Sequence, residues 1–338
     1  MVWELPELAL VHVFPTTSRV WALWGDRKIL ASAGADSLIT LRSMETGAIL
    51  SRLKRPGHVF ALWGPPDGTL IVSAGACKTS DTNTTRQTLN NLLNVQGSIV
   101  LRHLKPQHVL FRCATNLHDA QTTCMWSNGT IVACGGLEFV TVVGFRSGKI
   151  LADFAIKTIV TGVWCFELDL GWVVVIAFRK NMLAIKIETG ETIKEWEFPS
   201  HVHIHGDNTH NRLIAVGTWG LAIYNLSDLS AEPTCLDSLW QDAIELETQL
   251  GDSVSKGEGA WKVRCMWMPE DGFTLAYAIK NLIFLRVLQD QHRNDDFVTL
   301  IAPDKVSSMW GSADGKILVT GHFLTEIFIL WCLCSGSG

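Results

Sequence analysis

The stretch HVHIHGD, residues 201–207, sets His201, His203 and His205 on alternating positions. Side chains two apart on a β-strand share a face. Three neutral imidazoles in one row could therefore converge on a zinc or copper ion, with His210 as a fourth ligand. The competing reading makes the rings part of a core, hydrogen-bonded and held neutral by burial. The elements around them decide between the two.

The chain of 338 residues carries 28 Lys and Arg against 33 Asp and Glu, a net charge of -5. Nucleic acid is not the partner such a balance suggests. Residues 1–150 hold 14 basic and 9 acidic side chains, leaving 14 and 24 for the remainder, an asymmetry that can steer an encounter with another protein. The longest apolar run, around Val173 to Phe178, falls far short of the ~20 residues that span a bilayer, so no membrane segment is expected. No basic region followed by an apolar stretch opens the chain. The nine cysteines form no C-x-x-C pair. Their scatter argues for a reducing, cytoplasmic or nuclear setting.

An internal repeat organises the rest. The pattern is Val or Thr, then a small residue two positions on, then tryptophan two further on. It occurs at Val20/Ala22/Trp24, Val59/Ala61/Trp63, Thr122/Cys124/Trp126, Val160/Gly162/Trp164, Val263/Cys265/Trp267 and Val306/Ser308/Trp310. The gap between Val160 and Val263 is wide enough for another copy, and the histidine stretch falls there. His201, His203 and His205 then take the valine, small-residue and tryptophan positions of a seventh unit, which favours core over metal.

Each unit reads as four short strands. In the first these are Val20 to Trp24, Ile29 to Ala33, Leu38 to Leu41 and Ala48 to Leu53, joined by polar or glycine-containing turns. Asp67-Gly68, Asn128-Gly129, Asp271-Gly272 and Asp314-Gly315 suit hairpins. A second turn recurs as Glu45-Thr46-Gly47, Arg146-Ser147-Gly148 and Glu188-Thr189-Gly190. The last unit has room for three strands only, while Glu7 to Val13 is a surplus strand at the start. The fold expected is all-β: a single seven-bladed β-propeller over residues 1–334, closed when the N-terminal strand completes the last blade. Two insertions interrupt it. Residues 77–97 are polar and rich in Thr and Asn. Residues 227–259 carry eight acidic residues, and Leu236, Leu239, Trp240, Ala243, Ile244 and Leu250 within them predict one short amphipathic helix. The terminal Ser-Gly-Ser-Gly, residues 335–338, reads as a flexible tail.

In GADSLITLRSMETG at 34–47, the Gly57-His58 pair and the Asp-Gly turns, the chain resembles the WD40-repeat family. The Trp-Asp dipeptide of that family is missing throughout, and only Trp331 holds its tryptophan position. The resemblance implies a rigid, non-enzymatic scaffold within a larger complex, built on a monomeric propeller without cofactor. It also implies that other proteins dock on loops between second and third strands, which here present Arg86, Glu138, Arg179, Lys180, Trp219, Lys280, His322 and Phe323. Trp219 is the preferred anchor, unless it packs into an adjacent blade. A competing class is a propeller enzyme that uses the His201/His203/His205 row. A third is a subunit of an RNA-modifying or ubiquitin-transfer complex. The motifs of P-loop, zincin and serine-hydrolase chemistry are absent. The six repeat tryptophans need no binding role, because in a propeller they fill the space between blades.

Overall fold

The computed structural model describes residues 7–78, 95–104, 109–118, 122–168, 171–207, 210–236, 263–268, 274–287, 297–302, 305–312, 317–322 and 327–334, apart from positions 17, 27, 56, 66 and 218. Among these residues every regular element is a strand and every ladder is antiparallel.

The chain opens with β1 (Glu7–Pro15) and continues into a four-stranded meander of β2 (Val20–Gly25), β3 (Ile29–Gly34), β4 (Leu38–Ser43) and β5 (Ile49–Lys54). A second sheet comprises β6 (Val59–Trp63), β7 (Leu70–Lys78), β8 (Val95–His103) and β9 (Val109–His118). A six-stranded sheet follows: β10 (Thr122–Ser127), β11 (Ile131–Gly144), β12 (Ile150–Leu168), β13 (Gly171–Phe178), β14 (Asn181–Lys186) and β15 (Thr192–Glu197). Then come β16 (Val202–Asp207), β17 (Arg212–Gly217), β18 (Gly220–Asn225) and β19 (Thr234–Leu236), and after them β20 (Val263–Trp267), β21 (Thr274–Ile279), β22 (Leu282–Val287) and β23 (Phe297–Ile301). The last sheet runs β24 (Val306–Gly311), β25 (Ile317–His322), β26 (Ile327–Cys334) and then β1, with Val13 opposite Ile329.

The arrangement is propeller-like. Hydrogen bonding nevertheless separates five four-stranded sheets and one six-stranded sheet, not the seven separate units expected. The reason lies in β11 and β12. Residues 131–136 of β11 pair with β10, whereas Phe139–Val143 pair with β12. Between them Glu138 has φ 63°. The N–H of Phe145 bonds to the carbonyl of Thr130 at 2.8 Å, just as Met44 bonds to Lys28 and Leu226 to Asn211 in other sheets. The two limbs of β11 thus fold back on each other. In β12 the first half pairs with β11 and the second with β13, with Lys157 at φ 46° between them. The sequence ILADFAIKTIV holds no Gly or Pro to interrupt it, and β12 runs on as one strand through Lys157.

The first strands of successive units lie side by side. β2 packs against β6, β6 against β10, β10 against β12, β12 against β16, β16 against β20, β20 against β24, and β24 against β2. Each sheet buries its small and branched residues on both faces, and the apolar clusters span neighbouring sheets, as where Trp24 and Ile39 meet Val59 and Ile71. The recurring Gly turn is the same three times: Gly47, Gly148 and Gly190 have φ between 65° and 72°, and each N–H bonds to a carbonyl four residues back at 2.9 Å. A Cβ would strain that left-handed conformation. Gly68 and Gly129 also have positive φ. The Asp271-Gly272 and Asp314-Gly315 turns lie outside the described residues.

Both insertions differ in extent from expectation. Cys77 pairs with Gln96 and Lys78 with Val95, so residues 77–97 begin and end as a lengthened β7–β8 hairpin. Thr234–Leu236, within the 227–259 stretch, is the fourth strand of its sheet, with Leu236 opposite Leu221. The remaining residues of the expected helix, from Leu239 on, lie outside the described residues.

Candidate interaction face and axial channel

In the six tryptophan-bearing units the first strand carries a register shift just after its first residue. Val20 faces Gly34 and Ala22 faces Ala33, leaving Trp21 as the bulged residue. The same shift follows Val59, Thr122, Val160, Val263 and Val306. A bulge re-aims its side chain, and here five of the bulged residues border a cavity of about 440 Å³ shared by the inner strands. Trp21, Phe60, Thr123, Thr161 and Ser307 line it, together with His203.

The bulged hydroxyls fasten one inner strand to the next. Thr123 Oγ1 donates to the carbonyl of Val160 at 2.6 Å, and Thr161 Oγ1 to that of Val202 at 2.7 Å. Ser307 Oγ donates in the same way to Val20, joining the last sheet to the first unit. Where the bulged residues are aromatic, Trp21 stacks on Phe60 with ring centroids 4.7 Å apart.

The histidine strand β16 has no such shift: Val202 faces Gly217, His203 faces Val216 and His205 faces Ile214. Val202, not His201, therefore holds the valine position. His203 and His205 keep the small-residue and tryptophan positions. His205 lies 5.1 Å from the ring of Trp164. Desolvation pushes its pKa down to about 4 against a smaller opposing pull from Asp207, so the ring is neutral at physiological pH. His210 sits instead on Asp207, Nδ1 to Oδ2 at 2.5 Å, in a turn that also brings Arg212 to the same carboxylate at 3.3 Å. Among the described residues no three His, Cys, Asp or Glu side chains gather as metal ligands. His205 meets Trp164 as Trp164 meets Trp126, with ring centroids 5.1 and 5.4 Å apart. Burial also keeps the channel-lining Cys124 protonated, its thiol pushed up to about 12.

The eight residues expected on the docking face separate into groups. Glu138, Arg179 and Lys180 are exposed, and Lys280 is half-buried. Glu138, Arg179 and Lys280 occupy equivalent turns between second and third strands, with φ of 63°, 45° and 54°. Trp219 is half-buried and takes the packing alternative: its indole stacks on Phe198 at 5.0 Å and lies against the core of the neighbouring sheets. His322 is a correction, being wholly buried at the end of β25 with Nε2 3.0 Å from Thr320 Oγ1. Strand alternation explains this, since Thr320 and His322 point to the same inward face. Arg86 and Phe323 lie outside the described residues.

Of the repeat tryptophans, Trp24, Trp126 and Trp267 are buried, while Trp63, Trp164 and Trp310 are half-buried. Sequence reasoning missed what receives them. A Cβ on Gly25 would lie 3.1 Å from Trp310, one on Gly64 2.6 Å from Trp24, and Gly206 and Gly311 are pressed still closer by Trp164 and Trp267. The readable signal was the Trp-Gly dipeptide at 24–25, 63–64 and 310–311. Arg55 was also missed: it is buried and donates to the carbonyls of Ser73 and Ser98 at 3.2 and 3.1 Å. Arg42 and Arg102 follow a leucine at the same place in their sheets, and each reaches the end of the neighbouring fourth strand, Pro15 at 2.9 Å and Lys54 at 2.7 Å.

These features define a β-propeller-like protein whose channel is walled by interlocked inner strands. No family model matches the chain, and no curated protein matches it.

Proposed function

We propose that the protein is a non-enzymatic scaffold of WD40-like design: a seven-bladed ring in which β1 completes the last blade, acting as one subunit of a larger protein complex. The six-stranded sheet then counts as two blades that share β12. The cyclic order of inner strands supports this count, as does the equivalence of Arg42 reaching Pro15 and Arg102 reaching Lys54 across neighbouring sheets. Other proteins are the proposed partners, with no nucleic acid or membrane engaged directly, in a reducing intracellular setting.

The observation that carries the proposal is the set of exposed charges, Glu138, Arg179 and Lys180, held on tight turns at equivalent ends of their sheets. A charged side chain on a rigid turn can be matched by a partner at little ordering cost. Because Trp219 is committed to Phe198, the charges replace it as the proposed contact. Affinity purification of the wild type and of an Arg179→Glu/Lys180→Glu double variant tests the reading. The variant should keep the wild-type melting temperature and lose its co-purifying proteins; retention of every partner would reject this face.

A further inference from the structure

A second cavity, of about 300 Å³, opens between the end of β1 and the β2–β5 sheet. Its lining includes Arg19, Arg42 and Arg52 but, among the described residues, only one carboxylate, Asp36. The register explains why the cations meet. Ser32 faces Thr40 and Thr40 faces Arg52 across three adjacent strands. Arg42 lies two residues beyond Thr40, hence on the same side of the sheet. The opposite side carries Ala31, Ala33, Ile39, Leu41 and Leu53, buried in the apolar cluster shared with the next sheet. One sheet thus presents hydrocarbon to one neighbour and guanidinium and hydroxyl groups to the cavity.

Arg42 is fixed in place. Its Nη1 donates to Gly47 at 3.2 Å and its Nη2 to Pro15 at 2.9 Å, and the guanidinium lies 5.4 Å above the ring of Phe14. Its Nε is buried without a hydrogen-bond partner. Burial first, and the charge of Arg52 second, lower the pKa of Arg42. Arg52 is exposed at the cavity wall and forms no ion pair among the described residues.

We propose that this cavity is a binding site for a phosphoryl group, with Arg42 and Arg52 as its cationic ligands and the Thr40 hydroxyl as an additional donor. Guanidinium forks match the geometry of a tetrahedral oxyanion, and a ligand of that charge relieves the repulsion between the two arginines. The proposal rests on the cavity and is independent of the docking face described above. The phosphoryl group comes either as free phosphate or as the phosphomonoester of a modified side chain.

Isothermal titration of the full chain with inorganic phosphate and, separately, with O-phosphoserine tests it, with chloride as the control anion. Saturable binding of either phosphoryl compound, weakened at least tenfold in Arg52→Ala and unchanged in Arg146→Ala, is the expected result. Arg52 and Arg146 are both exposed, so both variants should melt as the wild type does. Binding of O-phosphoserine alone assigns the source to a modified side chain, and binding of phosphate alone to the free ion. Absence of saturable binding at millimolar concentration, or binding that Arg52→Ala leaves intact, overturns the proposal.

Discussion

The indole Nε1–H of Trp24 donates to the carbonyl oxygen of Gly64 at 2.8 Å, joining residues 40 positions apart in neighbouring sheets. Trp24 is the last aromatic of one inner strand, and Gly64 directly follows the corresponding tryptophan of the next. The absence of a side chain at Gly64 lets the indole lie flat against backbone, and the same relation recurs from Trp310 to Gly25 and from Trp164 to Gly206. The sheets are thereby locked by a large residue meeting a missing one.

Gly64→Ala should destabilise the protein by about 1 to 3 kcal/mol, the usual cost of overpacking a filled core. Trp24→Ala should cost roughly 3 to 5 kcal/mol through lost contacts and the cavity left behind. Urea unfolding of both single variants and the double variant measures this. The double variant should be less destabilised than the sum, because the alanine methyl then occupies space the indole has vacated.

Thr161→Val keeps the shape of the side chain but removes the hydroxyl that reaches Val202 at 2.7 Å. Val202 is fully buried, and its carbonyl loses a partner. A loss of about 1 to 3 kcal/mol is expected. Amide exchange should quicken along β16 and β12 before it changes in distant sheets.

His205 makes stability depend on pH. Its folded pKa of about 4 lies below the ordinary histidine value of 6.5, with desolvation as the main cause. Between those two values the unfolded chain takes up a proton that the folded chain refuses, so stability falls as the pH is lowered through that window. The contribution is up to about 3 kcal/mol over the full window. His205→Gln should flatten that part of the curve of melting temperature against pH. A slope identical to wild type would show that the imidazole is not the group responsible.

Arg179 holds φ 45° without being glycine. Arg179→Gly should therefore leave stability unchanged or raise it by up to about 1 kcal/mol, since only glycine adopts that conformation freely. Arg179→Val should lower it by about 1 to 2 kcal/mol, because branching at Cβ is worst tolerated there. Thermal denaturation separates the two, and equal melting temperatures would mean that the turn relaxes.

Much of this architecture is legible in the sequence. Strand bounds in the first unit and the Gly47, Gly148 and Gly190 turns follow from alternation and from glycine's freedom of φ. Those are local properties, and a short window of sequence contains them. The placement of the expected docking residues was legible only in part. Glu138, Arg179 and Lys180 could be placed by turn position, but whether Trp219 points outward depends on Phe198, which lies in another sheet.

By itself the sequence determined the repeat, the all-β character and the identity of the strands, because the hydrophobic period and the turn residues act within a few positions of one another. Tertiary structure alone decided which residue fills each gap between sheets. The burial of Arg55, the loss of His322 to the core and the meeting of Arg42 with Arg52 all depend on surfaces brought together from separate strands. The merging of two units through β12 also emerged only there, since an extended link without Gly or Pro is compatible with either a loop or a continuous strand until its neighbours supply the hydrogen bonds.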